Sequence, residues 1–392
     1  MALKKVKDKE LARYKSEFPF TQKVTFLNHA SFGPIPLRAL KKTLEYYEAL
    51  SLKKVVDIDE VTFEMMEKIR IYLAKMIRAK PKEIGLVPNT SYGLNIVANG
   101  LDFKKGDKVL LSDVEFPANV YPWLNLRRKG VKIKFIKSQN GFFDLNNLLK
   151  DIDSKCKLLA LSYVQFFNGF KNDLETIGKI CQEKEIFFVV DGIQGVGCID
   201  LDVKRCKIDF LACGGQKWLL SSLGTGFFYL SDEAKMKINP TFFGWMGVDW
   251  KLNFSDLLKY NLLPFSSSRR FEIGTYPFST LWTMFSSAEL LSRIGTKAIE
   301  KKVLSLLDLL INYLKNSPYK IKSSLNPRQR SGILSFSTKD NSKLYHTLLR
   351  KKIILSLREN SIRVSPHFYN SSEEIGKLIQ VLSQVDPFGK KA

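Results

Sequence analysis

Two residues invite chemistry before any element is drawn. Asp191 closes the apolar run Ile186-Phe187-Phe188-Val189-Val190, and Lys217 follows Ile208–Cys213 after the glycine pair Gly214-Gly215. An apolar run that ends in a carboxylate puts that group at the carboxyl edge of a buried parallel strand, where ligands bind in open α/β sheets. The same argument puts Lys217 at that edge, ahead of Trp218-Leu219-Leu220. A buried lysine loses basicity and becomes a nucleophile toward carbonyl carbon. Each residue also has a plainer use, Asp191 as a helix N-cap and Lys217 as a solvated surface charge. Taken together, an amine and a carboxylate at neighbouring strand ends are what pyridoxal phosphate requires. The amine forms a Schiff base with its aldehyde, and the carboxylate keeps its pyridine nitrogen protonated so that the ring is an electron sink. A third requirement is an anion site. Pro88-Asn89-Thr90-Ser91-Tyr92-Gly93 leads into Leu94-Asn95-Ile96-Val97, a hydroxyl-rich turn at a helix start. Free N–H groups and the helix dipole suit a phosphate there, although a simple N-cap reads the same way.

These side chains need a scaffold that brings distant segments to one edge. Short apolar runs alternate with helical patterns from about residue 70 to 230, the signature of βα units and a largely parallel sheet. Six strands are expected at 108–112, 131–136, 157–164, 185–191, 208–214 and 224–230, and a helix over 173–185 with Leu174, Ile177, Ile180 and Cys181 on one face. From about residue 276 long amphipathic helical stretches precede short strands around ILSFS, IILSL and IRVSP. The last helix opens with a Ser371 to Glu374 capping box. The expected fold class is therefore α/β, a doubly wound, mostly parallel sheet with a smaller C-terminal α+β domain. The expected division is an N-terminal arm at 1–22, a large domain at 23–275 and a small domain at 276–392.

Composition narrows the function classes. The 392 residues carry 62 Lys plus Arg against 39 Asp plus Glu, a net charge of +23 that makes nucleic acid a rival partner to weigh. The basic residues are scattered from Lys4 to Lys391, with no accompanying nucleic-acid-binding motif, so an anionic cofactor and carboxylate substrates are preferred as what this charge attracts. Five cysteines without a C-x-x-C pair and three dispersed histidines suggest neither a disulfide framework nor a metal site. No run of 18 apolar residues occurs and the N-terminus has no apolar leader, so the expected setting is the cytoplasm without membrane attachment.

In order, Phe26–Pro34, Pro88–Gly93, Glu115–Asn119, Asp191–Gln194, Gly214–Trp218, Arg270–Thr275 and Arg363–Asn370 resemble the motifs of the class V aminotransferases. These are fold-type I pyridoxal-phosphate enzymes that include cysteine desulfurases and isopenicillin N epimerase-like proteins. The resemblance spans nearly the whole chain. It implies that Lys217 is the Schiff-base lysine and general base, and that Asp191 faces the pyridine nitrogen. It further implies that Gln194 contacts the ring hydroxyl, that Phe116 stacks on the ring, and that Thr90 and Ser91 cup the phosphate with Gln216 nearby. Thr275 matches a phosphate contact donated by a second subunit, so the resemblance implies a homodimer. Arg363 matches the clamp for a substrate carboxylate, a task that suits its planar fork. His29 and Asn28 lie in an N-terminal segment that approaches the site in this family, and His29 has a capping or backbone-bonding role as its alternative.

The chain also departs from the pattern. Desulfurases carry a nucleophilic cysteine on a loop before the arginine matching Arg363, whereas the last cysteine here is Cys213. Phe116 stands where desulfurases often have histidine, and it cannot transfer a proton. Gly214-Gly215-Gln216 replaces a common Ser-Gly-His, and the ring-hydroxyl asparagine is replaced within Val164–Asn168, by Gln165 or a neighbour. The expectation is accordingly an amino acid or amino-acid conjugate as substrate, with transamination favoured. A β-lyase or epimerase is the alternative, and persulfide-forming desulfurase chemistry is set aside.

Overall fold

The computed structural model describes residues 11–52, 58–249, 258, 260 and 263–385, with no side-chain description for 58–60. A seven-stranded sheet runs through its centre. In chain order its strands are β2 (Ile84–Val87), β3 (Lys108–Ser112), β4 (Lys132–Ile136), β5 (Cys156–Ser162), β6 (Phe187–Asp191), β7 (Phe210–Gly214) and β8 (Gly226–Leu230), following a short β1 (Thr25–Phe26) that lies elsewhere. The spatial order is β2-β8-β7-β6-β5-β3-β4. β3 to β7 pair in parallel, and β8 alone runs antiparallel to both of its neighbours. Six of the strands fall where the apolar runs placed them. β2 has no counterpart among them, because Ile-Gly-Leu-Val is too short a run to stand out beside the helix that precedes it.

Strand residues alternate between two cores, as period-two geometry dictates. Leu110, Leu159, Val190 and Leu211 join one cluster, while Val109, Leu158, Val189 and Ala212 join the other. Helix Thr90–Gly100 covers the second face through Leu94 and Val97. Gly93 lets that helix sit close, because a Cβ there would come within 2.8 Å of the Ala212 Cβ. Helix Leu174–Glu183 covers the first face and is capped by Asp173, whose carboxylate accepts from Thr176 N at 3.2 Å. Both faces are thus helix-covered, the doubly wound arrangement expected.

The C-terminal part holds the strands β9 (Lys320–Ile321), β10 (Leu334–Ser337), β11 (Ile353–Ile354), β12 (Ser356–Arg358) and β13 (Ser361–Val364). Four of them form an antiparallel sheet in the order β12-β13-β10-β9. Helix Ser372–Gln384 begins where expected, with the Glu374 carboxylate reaching back to Ser371 N at 2.9 Å.

β1 pairs in parallel with β11, and Asn28 bridges to Ser365, so the residues after 23 join the small sheet's side of the molecule. Phe18 stacks on Tyr369 at 3.9 Å, which ties the described part of the arm to the same place. Residues 1–10 of that arm lie outside the described residues. At the other boundary, helix Phe278–Ile294 packs on helices Leu37–Leu52 and Ile58–Ile77, and Leu281, Met284 and Leu291 are among its buried residues. Sequence texture changes at 276 because this helix is buried on most sides.

Candidate active site

Three large-sheet elements deliver a polar residue to one edge. Asp191 is the last residue of β6, Lys217 lies three residues past β7, and Thr90 opens the helix after β2. The Thr90 Oγ1 accepts from Gly214 N at 2.9 Å, which fastens the helix start to the strand that carries the lysine. Thr90 is buried and Ser91 exposed, with Asn89 capping the helix by accepting from Tyr92 N at 2.8 Å.

Asp191 and Lys217 perturb one another. Burial pushes the Asp191 carboxyl up to about 7, against a single backbone hydrogen bond from Ile193 N at 2.9 Å and the attraction of Lys217. Burial likewise brings the Lys217 ammonium down to about 8; Asp191 opposes the shift and the Arg363 charge adds to it. Phe116 lies beside the lysine: Lys217 Nζ is 5.6 Å from its ring centroid, and Phe166 meets that ring edge-on at 5.2 Å.

Arg363 comes to the same place from the small sheet. It is 2% exposed, and its guanidinium donates to Phe166 O at 2.6 Å, Ser31 Oγ at 2.6 Å and Ser356 Oγ at 3.0 Å. All three acceptors are neutral. Among the described residues no carboxylate pairs with it, and burial together with the Arg358 charge pushes it down to about 9. Three of its five N–H donors are used, which leaves two for a ligand.

Two other expected residues turn out to be engaged elsewhere. His29 is fully buried, with Nδ1 2.9 Å from Ser365 O and Nε2 2.6 Å from Tyr369 Oη. Burial and the neighbouring His367 hold it neutral, so no ring nitrogen is left for a substrate and the backbone-bonding alternative describes it better. Gln194 donates to Ala30 O at 2.9 Å and accepts from Trp218 Nε1 at 3.0 Å, spending its amide on holding the N-terminal segment to the lysine loop. Asn28 keeps a buried Oδ1 without a hydrogen-bond partner. Gln216 is half-buried, its carbonyl accepting from Gly33 N at 2.8 Å. A Cβ on Gly33 would lie 2.0 Å from the Lys217 carbonyl, so only glycine lets the segment press on that turn. Thr275 is exposed on the loop between Glu272 and Tyr276, at the far side of β2 from this centre.

Glu115 was quoted in a motif without a role, and the structure gives it one. Its buried carboxylate accepts from Ser162 N at 2.9 Å, Asn119 Nδ2 at 2.9 Å and Gln165 Nε2 at 3.0 Å, and from the Ser162 hydroxyl. It locks the loops after β3 and β5 together beside Asp191. A glutamate ahead of Phe-Pro in the sequence offered no sign of four donors, one from four residues away and three from 47 and 50 residues away.

The five cysteines are all buried, and none lies on the β12–β13 connection. That connection is a tight hairpin, with Arg358 opposite Ser361 and only Glu359 and Asn360, both at positive φ, at its tip. Among the described residues no group of three or more His, Cys, Asp or Glu is placed to hold a metal, and no helix is long and apolar enough to cross a membrane.

The profile of the family aminotransferase class-V matches residues 25–378. The chain belongs to the class V aminotransferase family. A probable cysteine desulfurase of Methanothermobacter thermautotrophicus is 28% identical, the alignment covering 95% of this chain and 97% of that protein. The apo structure of a cysteine desulfurase from Thermococcus onnurineus NA1 superposes with a TM-score of 0.86 at 25% identity, covering 95% of this chain and 97% of the other. A cystine C–S lyase solved with its product cysteine persulfide shares the fold, with a TM-score of 0.85, 23% identity and coverage of 93% and 99%. These likenesses overturn the preference for transamination and the setting aside of persulfide chemistry.

Proposed function

We propose that this family member is a pyridoxal-phosphate enzyme of the desulfurase type, which breaks the C–S bond of a cysteine-type amino acid. The observation that carries the reading is the buried, acid-free Arg363 guanidinium facing the Asp191–Lys217 pair. A buried cation without a counter-charge is costly unless a ligand supplies the anion. A buried carboxylate with one hydrogen bond, such as Asp191, is likewise completed by a cation. A protonated pyridine nitrogen at Asp191, a phosphate at the Thr90–Ser91 helix start and an α-carboxylate at Arg363 meet those needs together.

Bound there, pyridoxal phosphate supplies the electron sink that makes the Cα proton of an amino acid removable. The chain's own residues do the rest. Arg363 orients the substrate by its carboxylate, Lys217 takes and holds the Cα proton, and Phe116 covers the centre and excludes water without exchanging a proton. Lys217 suits that work because its ammonium, brought down to about 8, is partly neutral at physiological pH. From cystine, the electron pair of the breaking C–S bond leaves on the sulfur-bearing half, which departs as a persulfide; from cysteine the sulfur leaves as sulfide. Neither outcome needs a thiol on the hairpin at Glu359–Asn360, which carries none.

We further propose a homodimer in which Thr275 reaches the partner's cofactor phosphate. Exposed Phe242, Trp245 and Tyr121 support an interface on the large domain, at 64%, 42% and 67% exposure.

The test is sulfur release from L-cysteine and L-cystine by cofactor-loaded protein in the absence of a keto acid. Release that disappears in Lys217→Ala supports the reading. Amino transfer to a keto acid with sulfur still on its carbon would overturn it.

A further inference from the structure

We propose that Glu115 is a second ionised carboxylate behind Asp191, and that the two together stabilise positive charge on the ring nitrogen of bound pyridoxal phosphate. This goes beyond the C–S cleavage reading and rests only on the part of it that sets Asp191 at that nitrogen.

Strand register puts the two acids on one face. Ser162 and Asp191 are partners in the parallel β5–β6 pair, and adjacent strands lie about 4.8 Å apart. Two residues earlier on each strand, Ala160 and Val189 both belong to the core that helix Thr90–Gly100 covers. By the two-residue period Ser162 and Asp191 point to that same face, side by side. The Glu115 carboxylate rests on Ser162, accepting from its N–H at 2.9 Å and from its hydroxyl. It is close enough to Asp191 to add to the effect of burial in pushing the Asp191 carboxyl up.

The hydrogen bonds fix the charge state of Glu115. Its Oε1 accepts from Ser162 N and Gln165 Nε2, and its Oε2 from Asn119 Nδ2 and the Ser162 hydroxyl. A carboxylate has room for four donors, whereas a protonated carboxyl would need an acceptor for a hydrogen of its own. Burial raises the Glu115 carboxyl above its ordinary range, and each of the four bonds opposes that rise. All four donors are neutral, and among the described residues no cation pairs with it.

A buried anion without a counter-charge is costly alone and favourable beside a cation. A protonated ring nitrogen answers both acids, Asp191 by contact and Glu115 through its field. Glu115 touches neither ring nor substrate, so it is a positioning residue for charge. Its plainer use is to tie the loops after β3 and β5, which carry Phe116 and Phe166.

Two forms of the cofactor separate charge from shape: pyridoxal phosphate and its deaza analogue, which has C–H in place of the ring nitrogen. Each is titrated into full-length protein freed of cofactor and followed by absorbance. Wild type is expected to prefer pyridoxal phosphate, and Glu115→Gln to reduce that preference about tenfold by weakening pyridoxal phosphate alone. Glu115→Asp, which keeps the charge, is expected to keep most of the preference. A loop tie would weaken both compounds alike, and a preference unchanged in Glu115→Gln overturns the proposal. Equal binding of the two by wild type would instead remove Asp191 from the ring nitrogen, and the proposal with it. If Glu115→Gln does not fold, the carbon-13 resonance of the Glu115 carboxyl in wild-type holoenzyme at pH 8 decides: an anion is expected, and a neutral carboxyl overturns the proposal. No sulfur is released in any of these measurements, so their outcome is independent of the C–S cleavage assay.

Discussion

Arg70 and Arg363 are equally buried, each 2% exposed, and they are matched in opposite ways. Arg70, on helix Ile58–Ile77, donates two bonds to Glu272 at 2.6 and 2.8 Å and a third to Glu67 at 2.9 Å. Glu272 in turn accepts from Leu86 N at 2.9 Å, so the ion pair fastens a helix, a loop and β2. The acids hold the Arg70 guanidinium charged more firmly than usual despite its burial. Arg363 has neutral acceptors only, and burial with a neighbouring cation pushes it down to about 9. A buried charge supplied with its counter-charge by the fold is a structural joint. A buried charge held in place but left without one is an open position for a ligand.

Substitutions at the two arginines should therefore separate stability from binding. Arg70→Ala strands the Glu272 carboxylate in the core, and a loss of about 3–5 kcal/mol is expected in a denaturant titration. Arg363→Ala is expected to leave the thermal midpoint nearly in place while substrate affinity falls roughly 10- to 100-fold, the worth of charge-assisted hydrogen bonds. An Arg363→Ala protein that unfolds as readily as Arg70→Ala would erase the contrast.

The Asp191–Lys217 pair makes the same point through pH. The Asp191 carboxyl is raised in the folded state, from 3.8 to about 7, so the folded protein binds the proton more tightly than the unfolded chain does. Its contribution to stability is full below pH 4 and is lost as pH rises through about 7. Lys217 is lowered from 10.5 to about 8, so its contribution is present above 10.5 and is lost as pH falls through about 8. Cofactor-free protein should thus show the least stability from this pair between pH 7 and 8. The melting difference between wild type and Asp191→Asn, measured from pH 4 to 7, should decline as pH rises. His29 and His367, both lowered by burial, run the other way in acid, which is why the difference rather than the raw curve is the readout.

The smallest effect belongs to Ser356. Its hydroxyl accepts from Arg363 Nε, and Ser356→Ala should weaken substrate binding by about fivefold, near 1 kcal/mol, with the fold unaffected. A larger loss there than at Arg363 itself would mean that the hairpin, not the guanidinium, is the binding element.

Legibility followed sequence distance. Asp191 and Lys217 could be placed because each follows its own apolar strand, and strand ends locate residues without knowledge of the partner elements. Arg363 was found through its motif, but its lack of an acid depends on Phe166 and Ser31, 197 and 332 residues away. The choice between the two roles of His29 was hidden for the same reason, since both of its partners lie more than 330 residues along the chain. Which elements the helix after residue 276 packs on was not legible, because amphipathic texture reports how much of a helix is buried and not which layer buries it.

The account stands on Lys217 as the residue that carries the cofactor. Borohydride reduction of protein incubated with pyridoxal phosphate, followed by peptide mass spectrometry, tests it directly. A pyridoxyl group on Lys217 alone, absent from Lys217→Ala, is the result the account predicts. No adduct, or an adduct spread over other lysines with Lys217 unmodified, would contradict it.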